Sequence, residues 1–249
     1  MVATQITITG MVLAAMPVGD YDKRLVILTK EHGKITAFAR GARKPNSALL
    51  ACSQPFCFGE FTAYANRTSY NITSASISNY FTEARNDLET ISYGCYFCEL
   101  VEQVTRENND EIQVLKLLYQ TMRALTKQSI PNMLIRYIFE LKIMSINGYT
   151  PQVFECVSCG TTEDVYLFSA SKGGLVCRAC RKGDSELISL DGSTIYTMQF
   201  ILVTPIEKLY TFTVTDKVLR ELKRVMERYL KIMVEGRFKS LEVLESLYS

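Results

Sequence analysis

The chain has 249 residues and a mass of 28.2 kDa, room for one large domain or two to three small ones. Its apolar share of 47% supports packed cores, and a charged share of 22% with a net charge of +2 excludes a disordered polyelectrolyte. The most apolar late stretch, Ile195–Val214, is interrupted by Gln199, Pro205, Glu207 and Lys208, which excludes it as a membrane span; Met1–Pro17 lacks the basic start and long apolar run of a secretory signal.

The small net charge conceals an asymmetry. Residues 1–82 carry eight Lys or Arg against four acids, whereas the other 167 residues carry 20 basic and 22 acidic groups. A basic first third on a near-neutral body predicts a polyanion-binding face there. Eight cysteines without a secretory signal predict a reducing, cytoplasmic setting, in which paired cysteines are metal ligands rather than disulfides.

In chain order, the first element is a strand at Ile6–Leu13, followed by a nearly continuous apolar strand at Arg24–Thr29. Lys30–Lys34 is a Gly-containing hairpin loop, and Ile35–Arg40 returns antiparallel. A basic loop with turn chemistry follows at Gly41–Ser47, then a strand at Phe56–Ala65, where Gly59 marks a bulge, and a fifth at Ser69–Ser76. Five short strands in this span fit a small, partly open barrel of the OB type, with an SH3-like barrel as the competing reading. From Tyr80 the period becomes helical. Asn86–Thr105 places Leu88, Ile91, Cys95, Cys98, Val101 and Val104 on one face, and Ile112–Lys127 repeats the pattern. Pro131 opens a helix at Asn132–Ile146, which Asn147-Gly148 stops. Ser193–Leu202 reads as helix, Ile206–Tyr210 is ambiguous, and Asp216–Val234 is an amphipathic helix ending at Gly236. The expected fold is α+β and multidomain: an N-terminal OB-fold β-barrel over 1–80, then an all-α domain over 81–249 with a four-cysteine zinc module, 153–183, inserted in it.

That module rests on the most specific motif in the chain. Cys156, Cys159, Cys177 and Cys180 form C-x2-C-x17-C-x2-C. Each knuckle converges two thiolates on one ion, and four sulfurs close a tetrahedral Zn2+ with no open position for a substrate. Gly160 eases the turn after the first knuckle, and Arg178, Arg181 and Lys182 lie where they offset the −2 charge of such a site. One structural zinc ion is therefore expected. With four basic and three acidic residues, Val153–Gly183 itself has a weak balance for binding phosphates.

The other cysteines and the histidine read differently. Cys95 and Cys98 lie inside a helical pattern without a second pair and are expected as buried core residues, as are Cys52 and Cys57. His32, the only histidine, is expected as a solvated turn residue beside Gly33. No phosphate loop, dinucleotide fingerprint or nucleophile–base pair is present in the sequence, so no enzymatic activity is expected.

The basic set of the barrel comprises Lys23, Arg24, Lys34, Arg40, Arg43 and Lys44, with Tyr21, Phe38 and Tyr64 nearby in the pattern. A basic groove with aromatic platforms holds single strands without reading their sequence. Near the C-terminus Lys217, Arg220, Arg224, Arg228 and Lys231 share a helix face opposite Leu222, Val225, Tyr229 and Met233, with Glu221, Glu227 and Glu235 as sparse counter-charges. That face is either solvated or a second nucleic-acid or partner surface.

The order of several segments resembles the bacterial RecO family over essentially the whole length: Gly10-Met-Val-Leu13, Gly19-Asp-Tyr-Asp-Lys-Arg24, Thr29-Lys-Glu-His-Gly-Lys34, Ala39-Arg-Gly-Ala-Arg-Lys-Pro45 with Ser47, Gln54-Pro-Phe56, the knuckles after Asn147-Gly-Tyr149, and Gly236-Arg-Phe-Lys-Ser-Leu-Glu-Val-Leu244. The central helices match in pattern alone. The resemblance implies a recombination mediator of the RecF pathway that binds single- and double-stranded DNA and anneals complementary strands. It also implies that, with RecR, the protein helps RecA replace single-strand-binding protein, without nucleotide hydrolysis, a membrane or a small-molecule substrate. By position, Lys23, Arg24, Lys34, Arg40, Arg43 and Lys44 become the DNA contacts, and a bacterial, nucleoid-associated location follows. The rival reading is a zinc-stabilised OB protein that binds RNA.

Overall fold

A computed structural model describes residues 4–234 and 236–247; Glu235 lies outside them. The chain forms two compact units, Met1–Lys127 with Phe238–Ser249, and Gln128–Arg237.

The first unit is built on a five-stranded antiparallel-rich barrel: β1 (Thr4–Val18), β2 (Asp22–Thr29), β3 (Gly33–Ala39), β4 (Phe58–Ala65) and β5 (Tyr70–Asn79). Neighbours run β1-β2-β3-β5-β4, with β4 returning to β1, which is OB-like order. The ring is joined at its weakest seam by three parallel pairs between β3 and β5, Ala37↔Tyr70 to Ala39↔Ile72. β1 runs to Val18, beyond the expected strand end, because its two halves have different partners. Thr4–Met11 pairs with β4, and Gly10–Val18 pairs with β2, with a register shift between Val12 and Ala14.

Where β1 passes between partners, Gly10 pairs with Gly59. A Cβ on Gly10 would lie 2.3 Å from the Leu28 carbonyl oxygen, and one on Gly59 would lie 2.2 Å from that of Ser76. Both positions need glycine because backbone approaches backbone there. The register also shifts between Phe58 and Gly59, the bulge read from the sequence. Inside, Ile8, Val12, Leu25, Ile27, Ile35, Phe61 and Ile72 form the core with the small Ala37, Ala39 and Ala63. A short helix α1 (Leu49–Cys52) adds Leu49 and Cys52, and Cys57 is fully buried; the last two are core fillers, as expected.

Helices α2 (Leu88–Val104) and α3 (Ile112–Lys127) belong to the same unit. Asp87 caps α2 by accepting the Thr90 N–H at 2.8 Å. The buried face of α2 differs from the expected one. Tyr93, Tyr96, Phe97, Leu100 and Val101 are buried, whereas Leu88 is 60% exposed and Cys95 lies at the surface; Cys98 is buried. α2 is apolar on nearly every side, so aliphatic periodicity does not choose its face, and the large aromatic areas do. Gly94 lets the Phe56 ring approach, since a Cβ there would sit 3.0 Å from Phe56 Cζ.

A helix absent from the sequence reading, α7 (Lys239–Leu247), returns to this unit. The Glu99 carboxylate of α2 accepts the Lys239 and Ser240 N–H groups, each at 3.1 Å, and so caps α7 from another element. Phe238 meets the Tyr96 ring edge-on at 5.6 Å. His32 is half-buried rather than solvated: its ring lies 5.9 Å from that of Tyr70, and its carbonyl accepts the Asn108 N–H at 3.0 Å.

In the second unit α4 (Asn132–Ile146) is almost wholly buried, and α5 (Gly192–Val203) and α6 (Asp216–Met233) pack on it. Asn147-Gly148 ends α4 as read, with Gly148 at φ +86°. The Lys142 ammonium closes the C-terminus of α5, donating to the carbonyls of Ile201, Leu202 and Thr204 at 3.2, 2.7 and 2.9 Å. Burial lowers its pKa. The ambiguous Ile206–Tyr210 segment contains a 3-10 turn at Ile206–Lys208. The cysteine-rich segment carries a three-stranded sheet, β6 (Val165–Ser169), β7 (Gly174–Cys177) and β8 (Ile188–Ser189), ordered β7-β6-β8. No helix among the described residues is long and apolar enough to cross a membrane.

Candidate nucleic-acid interface and metal centre

At the barrel end where β2 starts and β3 stops, two loops are joined. The Asp22 carboxylate accepts the Gly41 N–H at 2.7 Å, and the Tyr21 carbonyl accepts the Arg43 N–H at 2.8 Å. Arg43 Nη1 donates to the Gly19 carbonyl at 3.1 Å, and the Lys44 ammonium sits 5.4 Å over the Tyr21 ring. The cation–π contact contributes about 0.5–1 kcal/mol at an exposed site. Positive φ at Gly19 (+55°) and Gly41 (+65°) allows both turns. Arg40, Arg43 and Lys44 are exposed, and no protein group among the described residues engages the Arg40 guanidinium.

Beside this loop a row of side chains crosses the outer face of the sheet. The register places Met16 opposite Arg24, Arg24 opposite Phe38, Phe38 opposite Asn71, and Asn71 opposite Tyr64. Their neighbours Leu25, Ala37, Ala39, Ile72 and Ala63 point into the core, so alternation turns this row outward. Arg24 is exposed, Tyr64 is 39% exposed, and Phe38 and Asn71 are half-covered. A cation, two aromatic rings and an amide on one pleated surface can hold phosphate, stack bases and hydrogen-bond a base edge.

Two of the six basic residues named from the sequence are otherwise engaged. Lys23 Nζ donates to the Ser53 carbonyl at 2.9 Å, and desolvation lowers its pKa. The Lys34 ammonium donates to the Glu102 carbonyl in the last turn of α2. Arg24 has a single weak side-chain contact, its Nη2 lying 3.6 Å from the Met16 sulfur. Arg24, Arg40, Arg43 and Lys44 are the exposed members of the set, with Arg43 giving one N–H to Gly19 and Lys44 resting over Tyr21, whereas Lys23 and Lys34 are half-buried. Sequence reasoning missed Asp22 and Asn71. Asp22 entered only as one of the four acids of the first third and as part of the Gly19–Arg24 family segment, with no role of its own, and Asn71 becomes visible only through the β3–β5 pairing.

The four knuckle cysteines come together in the second unit, their Sγ atoms all within 4.8 Å of one another. A tetrahedron of sulfurs about 2.3 Å from one ion has edges near 3.8 Å, and Cys159 Sγ and Cys177 Sγ are 3.8 Å apart. All eight cysteines are free thiols rather than disulfides. Gly160 (φ +74°) closes the first knuckle by donating to the Cys156 carbonyl at 2.8 Å. Desolvation works against ionisation of Cys156, yet N–H groups of Cys177, Ser158 and Cys159 outweigh it and bring the thiol down to about 6. Cys180, crowded by Cys159 and Cys177, is pushed up to about 12. Four thiols this close ionise together only around a cation, so the donor set fits one tetrahedral metal ion. Cys156 and Cys177 are buried and Cys159 is exposed.

With the barrel and the four-sulfur cluster in place, sequence comparison decides the family. The model described as recombination protein O N terminal matches residues 1–81, and that described as recombination protein O C terminal matches residues 85–242. The chain belongs to the RecO family. Similar RecO members include the DNA repair protein RecO of Alkaliphilus metalliredigens, 34% identical over 240 residues that cover 96% of this chain and 98% of the relative. That of Acetivibrio thermocellus is 31% identical with 96% of both chains covered, and that of Bacillus subtilis is 28% identical with 96% and 94% covered. RecO membership makes this a DNA repair and recombination protein, consistent with an OB-like strand domain followed by helices and a cysteine cluster.

Proposed function

We propose that this protein binds single- and double-stranded DNA through the outer face of its barrel, anneals complementary strands and, with RecR, assists RecA loading onto DNA coated by single-strand-binding protein. The loop holding Arg40, Arg43 and Lys44 against the β1–β2 hairpin carries this reading, because it gathers free cations beside the Arg24–Phe38–Asn71–Tyr64 row. Phosphate neutralisation supplies affinity for any sequence, and stacking on Phe38 and Tyr64 favours unpaired bases. Lowering the charge on one strand reduces its repulsion for the complement, which is the physical basis of annealing. The protein's part is physical handling of strands in the cytoplasm, at the nucleoid, with no bond made or broken.

In this reading residues 1–80 do the DNA work, and the helical region 81–249 carries the module 153–183. Cys156, Cys159, Cys177 and Cys180 hold one zinc ion. Closed by four sulfurs, the ion stiffens the module and supplies no chemistry. Arg178, Arg181 and Lys182, all exposed around the second knuckle, offset its charge.

The test is a salt titration of single-strand affinity with Arg40, Arg43 and Lys44 changed to Gln. Each lost phosphate contact lowers the slope of log K against log salt by about 0.7 for single strands, so the triple variant is expected to lose about 2. An unchanged slope overturns the assignment. Parallel titration with RNA of the same sequence separates DNA handling from RNA binding.

A further inference from the structure

The basic stripe of α6 is left unused by the barrel reading. Lys217, Arg220, Arg224, Arg228 and Lys231 lie within about 80° of one another around the helix and extend over about 21 Å of its length. On paper Glu221 and Glu227 dilute the stripe. In the folded chain both are drawn off it. Glu221 Oε2 accepts the Asp191 N–H at 2.8 Å and the Thr194 hydroxyl at 2.6 Å, and Glu227 pairs with Lys223 at 3.7 Å. Lys217 is held by Asp191 at 2.5 Å, and Arg228 gives one N–H to the Glu186 carbonyl. Among the described residues Arg220, Arg224 and Lys231 have no protein partner, and all three are exposed.

This arrangement works against the helix that carries it. Arg220 and Arg224, then Arg224 and Arg228, are like charges at i,i+4, and Lys217 and Arg220 stand near the positive end of the helix dipole. The apolar positions on the other side, Val218, Leu222, Val225 and Tyr229, are buried, so core packing secures α6 despite the repulsion. A ligand that relieves it is a linear polyanion. Three of the five cations are arginines, whose forks suit phosphate oxygens. An acidic protein partner needs apolar anchors at the centre of its interface, and the stripe itself contains none.

We infer that the Arg220–Arg224–Arg228–Lys231 face of α6 is a second nucleic-acid site, which grips the backbone of one strand while the barrel holds another. The inference rests on the DNA-handling reading for its ligand class and goes beyond it by giving the second unit its own strand. Two independent grips on one chain explain how complementary strands are brought together by a single molecule.

The test uses the full, metal-loaded protein and short oligothymidylate. Wild type is expected to bind two oligonucleotides at saturation. Arg220→Gln with Arg224→Gln and Lys231→Gln is expected to bind one, to lose about 2 from the single-strand salt slope, and to anneal complementary strands at least tenfold more slowly. Lys208→Gln removes one exposed charge of the same unit outside α6 and is expected to leave stoichiometry and annealing unchanged. These solvated positions accept Gln without repacking, and an unchanged circular dichroism melt verifies it. A single site in wild type, or a triple variant with unaltered stoichiometry and slope, overturns the inference and leaves the face to solvent or an acidic protein. If the barrel variant keeps full binding while the α6 variant loses it, the barrel assignment fails and the α6 site stands.

Discussion

The Asp22 carboxylate holds the Gly41 amide at 2.7 Å, so an acid fixes the most basic loop of the barrel. The bond ties the start of β2 to the first residue beyond β3 and Arg40. A hydrogen bond to a charged acceptor contributes about 1.5–3 kcal/mol, enough to decide whether Arg40, Arg43 and Lys44 are presented together.

If the barrel handles DNA as proposed, Asp22 is expected to affect binding with the opposite sign to its charge. Asp22→Ala removes a negative group from a basic surface, yet it is expected to weaken single-strand binding by about tenfold, which corresponds to about 1.4 kcal/mol. Asp22→Asn keeps an acceptor oxygen for Gly41 and is expected to bind at least as well as wild type. Fluorescence anisotropy at fixed salt measures both. Tighter binding by the Ala variant would show that bulk charge outweighs loop placement.

At the metal centre, Cys177→Ser is expected to lower zinc content well below one ion per chain and to lower the unfolding midpoint of the second unit. Cys177 closes β7 and also donates its N–H to Cys156 Sγ at 3.3 Å, so the four-cysteine cluster and the small sheet share one residue. Metal analysis after dialysis against a chelator, followed by thermal unfolding, gives the result. Full occupancy in the variant would rule out a tetrathiolate site.

Gly10→Ala is expected to destabilise the first unit by roughly 3 kcal/mol or more, the upper range for overpacking. The obstacle is the Leu28 carbonyl, 2.3 Å from the new Cβ, and backbone cannot rotate aside as a side chain can. Ala at Gly192, where nothing lies within 4 Å, serves as the mild comparison. Urea unfolding midpoints separate the two, and equal midpoints would contradict the crowding argument.

Acid lability has an identifiable contributor. The Lys217 ammonium beside Asp191, with the Ser193 N–H, brings the Asp191 carboxyl down from 3.8 to about 2. A carboxyl depressed by folding stabilises the protein fully above its unfolded value and ceases to do so as pH falls through the folded one. Stability is thus expected to decline between about pH 4 and pH 2, and Asp191→Asn to flatten that decline. Asp191 also caps α5, which the Asn variant preserves. Denaturant midpoints across this range give the readout; an equally steep decline in Asp191→Asn would exclude the pair as a source.

Much of the architecture is legible in the sequence because local chemistry signals it. Helix α3 occupies Ile112–Lys127 and α4 occupies Asn132–Ile146, the spans expected from apolar period, Pro131 and Asn147-Gly148. The knuckle spacing likewise foretells the clustered sulfurs, since two tight turns leave the thiols little freedom. Less legible were features that depend on a distant partner. α7 has weak local signals, and its first turn is capped by Glu99, some 140 residues earlier in the chain. The exposed side of α2 went to Leu88 and Cys95 because competing aromatic residues claim more buried area than aliphatic spacing reveals.

For function, the sequence alone determined the family pattern, the basic character of the first third and the four metal-ligand candidates, because residue type and short spacing carry that chemistry. Only the tertiary structure decided which charges are free. It committed Lys23 and Lys34 to the Ser53 and Glu102 carbonyls and turned Asp22 from a liability into a clasp for Gly41. It drew Glu221 away from the α6 stripe and aligned Arg24, Phe38, Asn71 and Tyr64 across four strands. The reason is physical: a charge acts through its surroundings, and those are set by strand register and by hydrogen bonds between residues remote in sequence.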